Sequence, residues 1–234
     1  MAAMAHMPGD MKFDALSHHL YVDRRGQPEN MQGPFDALKK FVLARAIARW
    51  SSRCDDRLIL SEVNWPLKGT GVYSPVTSPY ESPGPRSGDP SVSEDDCADY
   101  MLRYIVTAVC SGMVERVYWW RLTARGFGLV DDTEPAAWIE RPAFGMLRHF
   151  ISFLGESMFI RKLPAADGVH LLLFDRGDGE TVGMGYSSVG VVEMDAPFKF
   201  SEIVDAFGCF GGCTKETGVV SLSGRPVYFR EVHV

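Results

Sequence analysis

The residue best placed to do chemistry is Glu62, near the end of the run Arg57-Leu58-Ile59-Leu60-Ser61-Glu62-Val63-Asn64-Trp65-Pro66. A short, β-rich apolar run suits a parallel strand buried on both faces, and Pro66 ends it because proline has no N–H for the ladder. Glu62 then falls at the C-terminal end of the strand, where barrels of alternating strands and helices keep catalytic side chains. Taken alone, Ser61-Glu62 also fits an ordinary strand-end glutamate facing solvent. A second group of polar candidates lies upstream, in Phe13-Asp14-Ala15-Leu16-Ser17-His18-His19-Leu20-Tyr21. Period-two alternation puts Ser17, His19 and Tyr21 on one face there and His18 and Leu20 on the other. A third group, Tyr118-Trp119-Trp120-Arg121, ends the β-rich stretch 114–122. Cys209 and Cys213 bracket three residues, too wide for a two-residue zinc knuckle, and no second Cys or His pair lies near them. Neither a metal nor any other cofactor is expected.

The elements that carry these residues follow a simple alternation. Residues 1–11 read as a disordered start, and the first strand falls within residues 12–22. Turn signals at Arg25-Gly26-Gln27-Pro28 and Gly33-Pro34 lead into a helix over residues 35–50, with Leu38, Val42, Ala46 and Trp50 as its apolar stripe. The Glu62 strand comes next. Residues 66–92 are rich in Pro, Gly and Ser and leave the strand end that carries Glu62, so they form a candidate rim or lid. Ser93-Glu94-Asp95-Asp96 reads as an N-cap, and Ala98, Met101, Leu102, Ile105, Ala108 and Val109 make an apolar stripe that stops at Gly112. After the Trp119-Trp120 strand, Phe144, Leu147, Ile151 and Leu154 form one more stripe, opened near Pro142 and closed by Gly155. Strands alternating with amphipathic helices imply parallel β with right-handed crossovers. No glycine-rich phosphate loop follows any strand, which argues against a nucleotide-binding open sheet.

From residue 157 the pattern becomes short apolar runs, at 159–163, 169–174, 180–187, 219–222 and 227–232, separated by turns such as Asp175-Arg176-Gly177-Asp178-Gly179. Short strands without a helical stripe predict an antiparallel, β-sandwich-like unit. The expected organisation is a partial (β/α) barrel over residues 12–156 and a C-terminal β domain over 157–234. Composition agrees with a globular chain, since 46% of the 234 residues are hydrophobic and 23% charged. The formal charge of −6 is spread without a basic patch, which argues against a nucleic-acid partner. No apolar run approaches a membrane span and the N-terminus lacks a signal-peptide core, so no membrane partner and a cytoplasmic location are expected. Cys54, Cys97 and Cys110 fall in stretches that read as helical and are expected to be reduced.

In this order the motifs resemble the C-terminal part of a clan A retaining glycoside hydrolase, near the β-xylosidase and α-iduronidase-like families. Ser61-Glu62-Val63-Asn64-Trp65-Pro66 is similar to the end of the seventh strand of such a (β/α)8 barrel, His19-Leu20-Tyr21 to the sixth and Tyr118-Trp119-Trp120 to the eighth. Phe127-Gly128-Leu129-Val130-Asp131 and Arg225-Pro226-Val227-Tyr228 are also similar to stretches of the group. The resemblance implies Glu62 as nucleophile, His19 and Tyr21 beside it to hold and orient the carboxylate, and Trp119 or Trp120 as a flat apolar face for a sugar. Asn64 and Trp65 would line the same rim. One departure is plain: such barrels carry an Asn-Glu pair on the fourth strand, whose Glu is the acid/base, whereas here Asn30 and Asn64 precede Met31 and Trp65. A retaining glycosidase needs both carboxylates. The isolated chain is therefore expected to be inactive, with a carbohydrate substrate for the complete site. It would require an N-terminal half-barrel chain or self-associate. The alternative is a non-catalytic remnant, or a carbohydrate-binding or interaction protein, that depends on a partner chain.

Overall fold

The computed structural model describes residues 8–9, 11–22, 26–31, 33–72, 91–134, 136–177, 179–209 and 218–234. The fold is mixed α/β and divides into two compact units, Met1–Cys97 with Arg103–Arg141, and Ala98–Leu102 with Pro142–Val234. Most of the candidate rim at 66–92, much of the N-terminal stretch and Cys213 lie outside the described residues.

The first unit is built on β1 (Leu16–His18), α1 (Ala37–Ser51), β2 (Leu58–Val63), α2 (Glu94–Cys110, apart from Ala98–Leu102) and β3 (Val114–Trp119). The three strands form one sheet in the order β1-β2-β3, and both pairings are parallel, with Ser17 opposite Ile59 and Leu60 opposite Val117. All three strands therefore end at the same edge. Two further short strands, β4 (Val130–Asp131) and β5 (Ile139–Glu140), pair antiparallel after β3. Helix α2 starts as its sequence dictates: the Ser93 side chain accepts from Asp96 N, and Glu94, Asp95 and Asp96 put negative charge against the positive end of the helix dipole. Gly112, at φ 64°, turns the chain out of it. Helix α1 is capped by Asp36, whose side chain accepts from Lys39 N at 2.7 Å.

Three expectations need correcting in this unit. The first strand is shorter than residues 12–22 because only Leu16–His18 pair continuously with β2, and Phe13 meets Cys54 as an isolated bridge. Cys54 is accordingly in that bridge and not in a helix. Helix α1 also turns a different face inward: Ala37, Phe41, Ala44 and Ala48 are buried, while Val42 is 51% and Trp50 61% exposed. Small side chains let the helix approach its neighbours closely, with Phe41 as the one large knob, set edge-on against Tyr104 of α2 at 5.5 Å between centroids. The stripe Leu38-Val42-Ala46-Trp50 has the same helical spacing but lies on the outer side.

Besides Ala98–Leu102, the second unit contains, among the described residues, α3 (Pro142–Leu154) and seven strands: β6 (Met158–Lys162), β7 (Val169–Asp175), β8 (Thr181–Ser187), β9 (Val192–Asp195), β10 (Glu202–Val204), β11 (Val219–Leu222) and β12 (Val227–Arg230). Five of them form an antiparallel sheet in the order β10-β12-β8-β7-β6, and β9 pairs with β11. Leu171 and Leu173 of β7, Val220 and Leu222 of β11, and Phe229 of β12 share one core, so the two sheets are joined through their apolar faces. Helix α3 buries Ala143, Met146, Phe153 and Leu154, a face rotated from the expected stripe, and leaves Ile151 exposed. The short strands β9 and β10 were not anticipated from the sequence.

Candidate active site

The parallel sheet brings the ends of its three strands together, and the pairing of the middle strand is irregular beside Glu62. Strand β2 pairs with β3 at Leu60↔Val117 and next at Val63↔Trp119, so three steps along β2 match two along β3. The residue left over on β2 offsets an opposite shift between Leu58 and Ile59. Beyond Leu60 the alternation of buried Leu58 and Leu60 breaks, so that Val63 is buried while Ser61 and Glu62 are both half-buried. The Glu62 side chain is left 18% exposed.

Each carboxylate oxygen of Glu62 has a partner from the segment just past β1. The Tyr21 hydroxyl donates to Glu62 Oε1, and His19 Nδ1 lies 3.4 Å from Oε2. The two rings are set edge to face, 6.5 Å apart. His19 is 56% exposed, so the pair has a buried side, held by tyrosine, and a solvent side, held by histidine. A carboxylate with a partner at each oxygen is held in one orientation.

The tryptophans and Asn64 are at the same edge but differ in what they face. Trp65 is fully buried, donates from Nε1 to Gly26 O at 3.0 Å, and stacks on Trp119 at 6.0 Å with planes 18° apart. One face of the Trp119 indole is thus covered by protein. Asn64 is buried as well, its amide donating to Trp120 O at 2.7 Å, and Trp120 N donates to Val63 O at 3.0 Å. The indole N–H groups of Trp119 and Trp120 are buried without a hydrogen-bond partner among the described residues. Asn64 and Trp65 therefore make their contacts with the protein and support the edge from beneath.

Sequence reasoning missed the residues that fix this edge from the helices. Tyr104 of α2 is fully buried and its hydroxyl donates to Leu20 O at 2.6 Å. Lys40 of α1 donates from Nζ to Tyr21 O at 3.0 Å. Arg103, also buried, donates to Gln27 at 2.9 Å and to both carboxylate oxygens of Glu29, which pins the loop after Tyr21. The available signal was polarity inside an apolar helical stripe, since Arg103 and Tyr104 lie directly between Leu102 and Ile105. A buried arginine requires paired acceptors, and those come from more than seventy residues away. Burial pushes the Tyr104 hydroxyl well above the usual phenol range, with the nearby Tyr21 phenol adding to the shift, so it remains a donor at every physiological pH.

Among the described residues no group of three or more His, Cys, Asp or Glu side chains is placed to hold a metal ion, and Cys209 is a free, exposed thiol. Among the same residues no helix is long and apolar enough to cross a membrane.

No protein-family model matches the chain, and no curated protein matches it. Solved structures do. A family 39 glycoside hydrolase from the gut symbiont Bacteroides cellulosilyticus superposes with a TM-score of 0.68 at 17% identity, over 92% of this chain and 44% of that one. The fold is shared with part of a glycoside hydrolase. The catalytic domain of a family 30 xylanase C from Talaromyces cellulolyticus matches over 76% of this chain and 41% of its own, at 15% identity and a TM-score of 0.46. A family 51 arabinofuranosidase from Xanthomonas axonopodis pv. citri matches over 94% and 51%, at 12% identity and a TM-score of 0.40. This chain thus spans less than half the length of the family 39 enzyme that it resembles in fold.

Proposed function

We propose that this chain is the C-terminal portion of a retaining glycoside hydrolase, with β1, β2 and β3 as the sixth to eighth strands of a (β/α)8 barrel and Glu62 as the nucleophile. The observation that carries the reading is the carboxylate itself: it lies at the C-terminal edge of a parallel sheet and is bonded through one oxygen to Tyr21, with His19 beside the other. As a carboxylate oriented by Tyr21 and His19, Glu62 attacks the anomeric carbon of a bound glycoside, forming a glycosyl ester and breaking the bond to the leaving oxygen. Water then hydrolyses the ester. Trp119 offers the sugar the indole face that Trp65 does not cover, while Asn64, Trp65 and Trp120 hold the edge in place. The second carboxylate, which protonates the leaving group, would come from strands outside this chain.

That requirement makes a partner part of the reading. The sheet has β1 and β3 as its outer strands, and neither is paired on its outer side among the described residues. The outer side of α1 exposes Leu38, Val42, Leu43 and Trp50. Open parallel edges and an exposed apolar helix face are surfaces that a complementary polypeptide of parallel strand–helix units would cover. The absence of an Asn-Glu pair favours a second reading, a non-catalytic remnant that at most binds carbohydrate.

The experiment is hydrolysis of activated aryl glycosides over a small sugar panel, by the chain alone and mixed with an N-terminal half-barrel polypeptide. The chain alone is expected to show no turnover, because the general acid is typically worth about a hundred- to ten-thousandfold and much of the sugar pocket is absent with it. Addition of the half-barrel should produce activity that Glu62→Gln abolishes. Hydrolysis by the chain alone, insensitive to Glu62→Gln, would refute the assignment. Sugar binding without turnover in the mixture would favour the second reading.

A further inference from the structure

We infer that Tyr104 is a positioning residue for the Glu62 site, fixing the segment that carries His19 and Tyr21 through its hydroxyl and seating Trp65 against Trp119 through its ring. Strand β1 ends at His18, so the residues that reach Glu62 lie past the last paired position. What holds them is side chains on the helices. Leu20 stands between the two residues that touch Glu62, and its carbonyl accepts from the Tyr104 hydroxyl at 2.6 Å. The next carbonyl, of Tyr21 itself, accepts from Lys40 Nζ at 3.0 Å. A displacement of Leu20 moves both partners of the carboxylate together, because they are its immediate neighbours in the chain.

The ring of Tyr104 reaches the other two strand ends. It meets Trp65 edge-on at 5.9 Å, and Trp65 stacks on Trp119 at 6.0 Å. On its other side it meets Phe41 of α1 edge-on at 5.5 Å. Trp65 then returns to the β1 side by donating to Gly26 O at 3.0 Å. One buried side chain of α2 is therefore in contact with the continuation of β1 and, through Trp65, with the ends of β2 and β3. A phenylalanine would supply the same ring packing. The hydroxyl is the part that a core alone does not require, and it is spent on the carbonyl between His19 and Tyr21.

The geometric role stands without any reaction, whereas its effect on catalysis rests on the glycosidase reading. The test uses the full chain labelled with ¹³Cζ-tyrosine, in which the Tyr21 resonance reports its hydrogen bond to Glu62 and Glu62→Gln marks the signal expected when the charged acceptor is lost. Tyr104→Phe is expected to move the Tyr21 signal toward that reference. Phe41→Leu, which loosens the same aromatic cluster without touching the Leu20 carbonyl, is expected to leave it in place at a similar loss of thermal stability. Lys40→Met, outside the aromatic cluster, should move it in the same direction as Tyr104→Phe and keeps the test decisive if that variant does not fold. In an active mixture with the N-terminal half-barrel, Tyr104→Phe should lower kcat about tenfold while KM changes less than about twofold, the signature of a misplaced reacting group. An unmoved Tyr21 signal in Tyr104→Phe, or in Lys40→Met where Tyr104→Phe does not fold, overturns the inference, as does an equal shift in Phe41→Leu. A shift without activity in any mixture upholds the positioning role and sinks the glycosidase reading instead.

Discussion

Replacing Arg141 with methionine should unfold the first unit at a much lower temperature. Its side chain is only 3% exposed and makes five polar contacts: Nε with Glu94 at 2.9 Å, Nη1 with the carbonyls of Ala124 and Gly128 at 2.8 and 2.9 Å, and Nη2 with the carbonyl of Arg125 at 2.6 Å and Asp131 at 2.8 Å. The two carboxylates do not contribute equally to the loss. Glu94 is about half exposed and Asp131 over a quarter, so both can recover water, while the Ala124 and Gly128 bonds are buried and their carbonyls would lose their partner in the interior. Removing one member of a buried ionic network costs about 3–5 kcal/mol, and the partial exposure of the carboxylates places this case near the lower end. For a unit of this size that corresponds to a fall in melting temperature of roughly 10 °C or more. Arg141→Lys keeps the charge but not the fork that reaches three carbonyls, and should cost about 1–3 kcal/mol. The assay is selective, because all five tryptophans, Trp50, Trp65, Trp119, Trp120 and Trp138, belong to the first unit. Tryptophan fluorescence should show the shifted transition, while far-UV circular dichroism also follows the second unit. An Arg141→Met melt within about 2 °C of the parent by fluorescence would mean that water replaces the guanidinium, and the reasoning from buried carbonyls would be wrong.

In the second unit, burial lowers the pKa of His149, with Asp205 opposing the shift and Arg230 adding to it. A depressed folded-state pKa means that the unfolded chain binds the proton first, so stability is full above the ordinary histidine range and falls as pH drops below about 6.5 toward the folded value. Denaturant titrations at pH 7.5 and 5.5 should show this loss in the parent, and His149→Phe should flatten it; an equal pH dependence in the variant would assign the effect elsewhere. Gly185 of β8 should tolerate no side chain, since a Cβ there would lie 2.9 Å from Phe229 Cε2, 3.1 Å from Leu222 Cδ2 and 3.2 Å from Leu171 Cδ2. Gly185→Ala is expected to cost about 1–3 kcal/mol by overpacking, read as a lower denaturation midpoint, and an unchanged midpoint would show that the core can yield.

The parts of the fold that were legible in the sequence are those where one local signal had no competitor. Helix α2 had a capping serine, a turn of acids and a closing glycine, and β2 had an apolar run stopped before a proline. The face of α1 was not legible because two stripes compete at helical spacing. Leu38-Val42-Ala46-Trp50 carries more hydrophobicity than Ala37-Phe41-Ala44-Ala48, yet the second is buried, since close approach to Tyr104 and the sheet favours small side chains around a single phenylalanine. At the Glu62 edge, alternation placed His19 and Tyr21 on one face, but their contact with the carboxylate depends on two things that alternation does not encode. One is the register shift between Leu60 and Val63, beside which Glu62 sits. The other is the pair of donors, Tyr104 and Lys40, that hold Leu20 and Tyr21 after the strand has ended. Both break a local rule, a strict period of two in one case and an all-apolar buried helix face in the other, and such breaks tend to gather at sites where geometry is fixed for a purpose. The misread stripe has the same character. A surface helix commonly keeps polar residues outward, whereas α1 has apolar residues on both sides. Its inner side is covered by this chain, and its outer side supports the proposal that a further layer of polypeptide belongs against it.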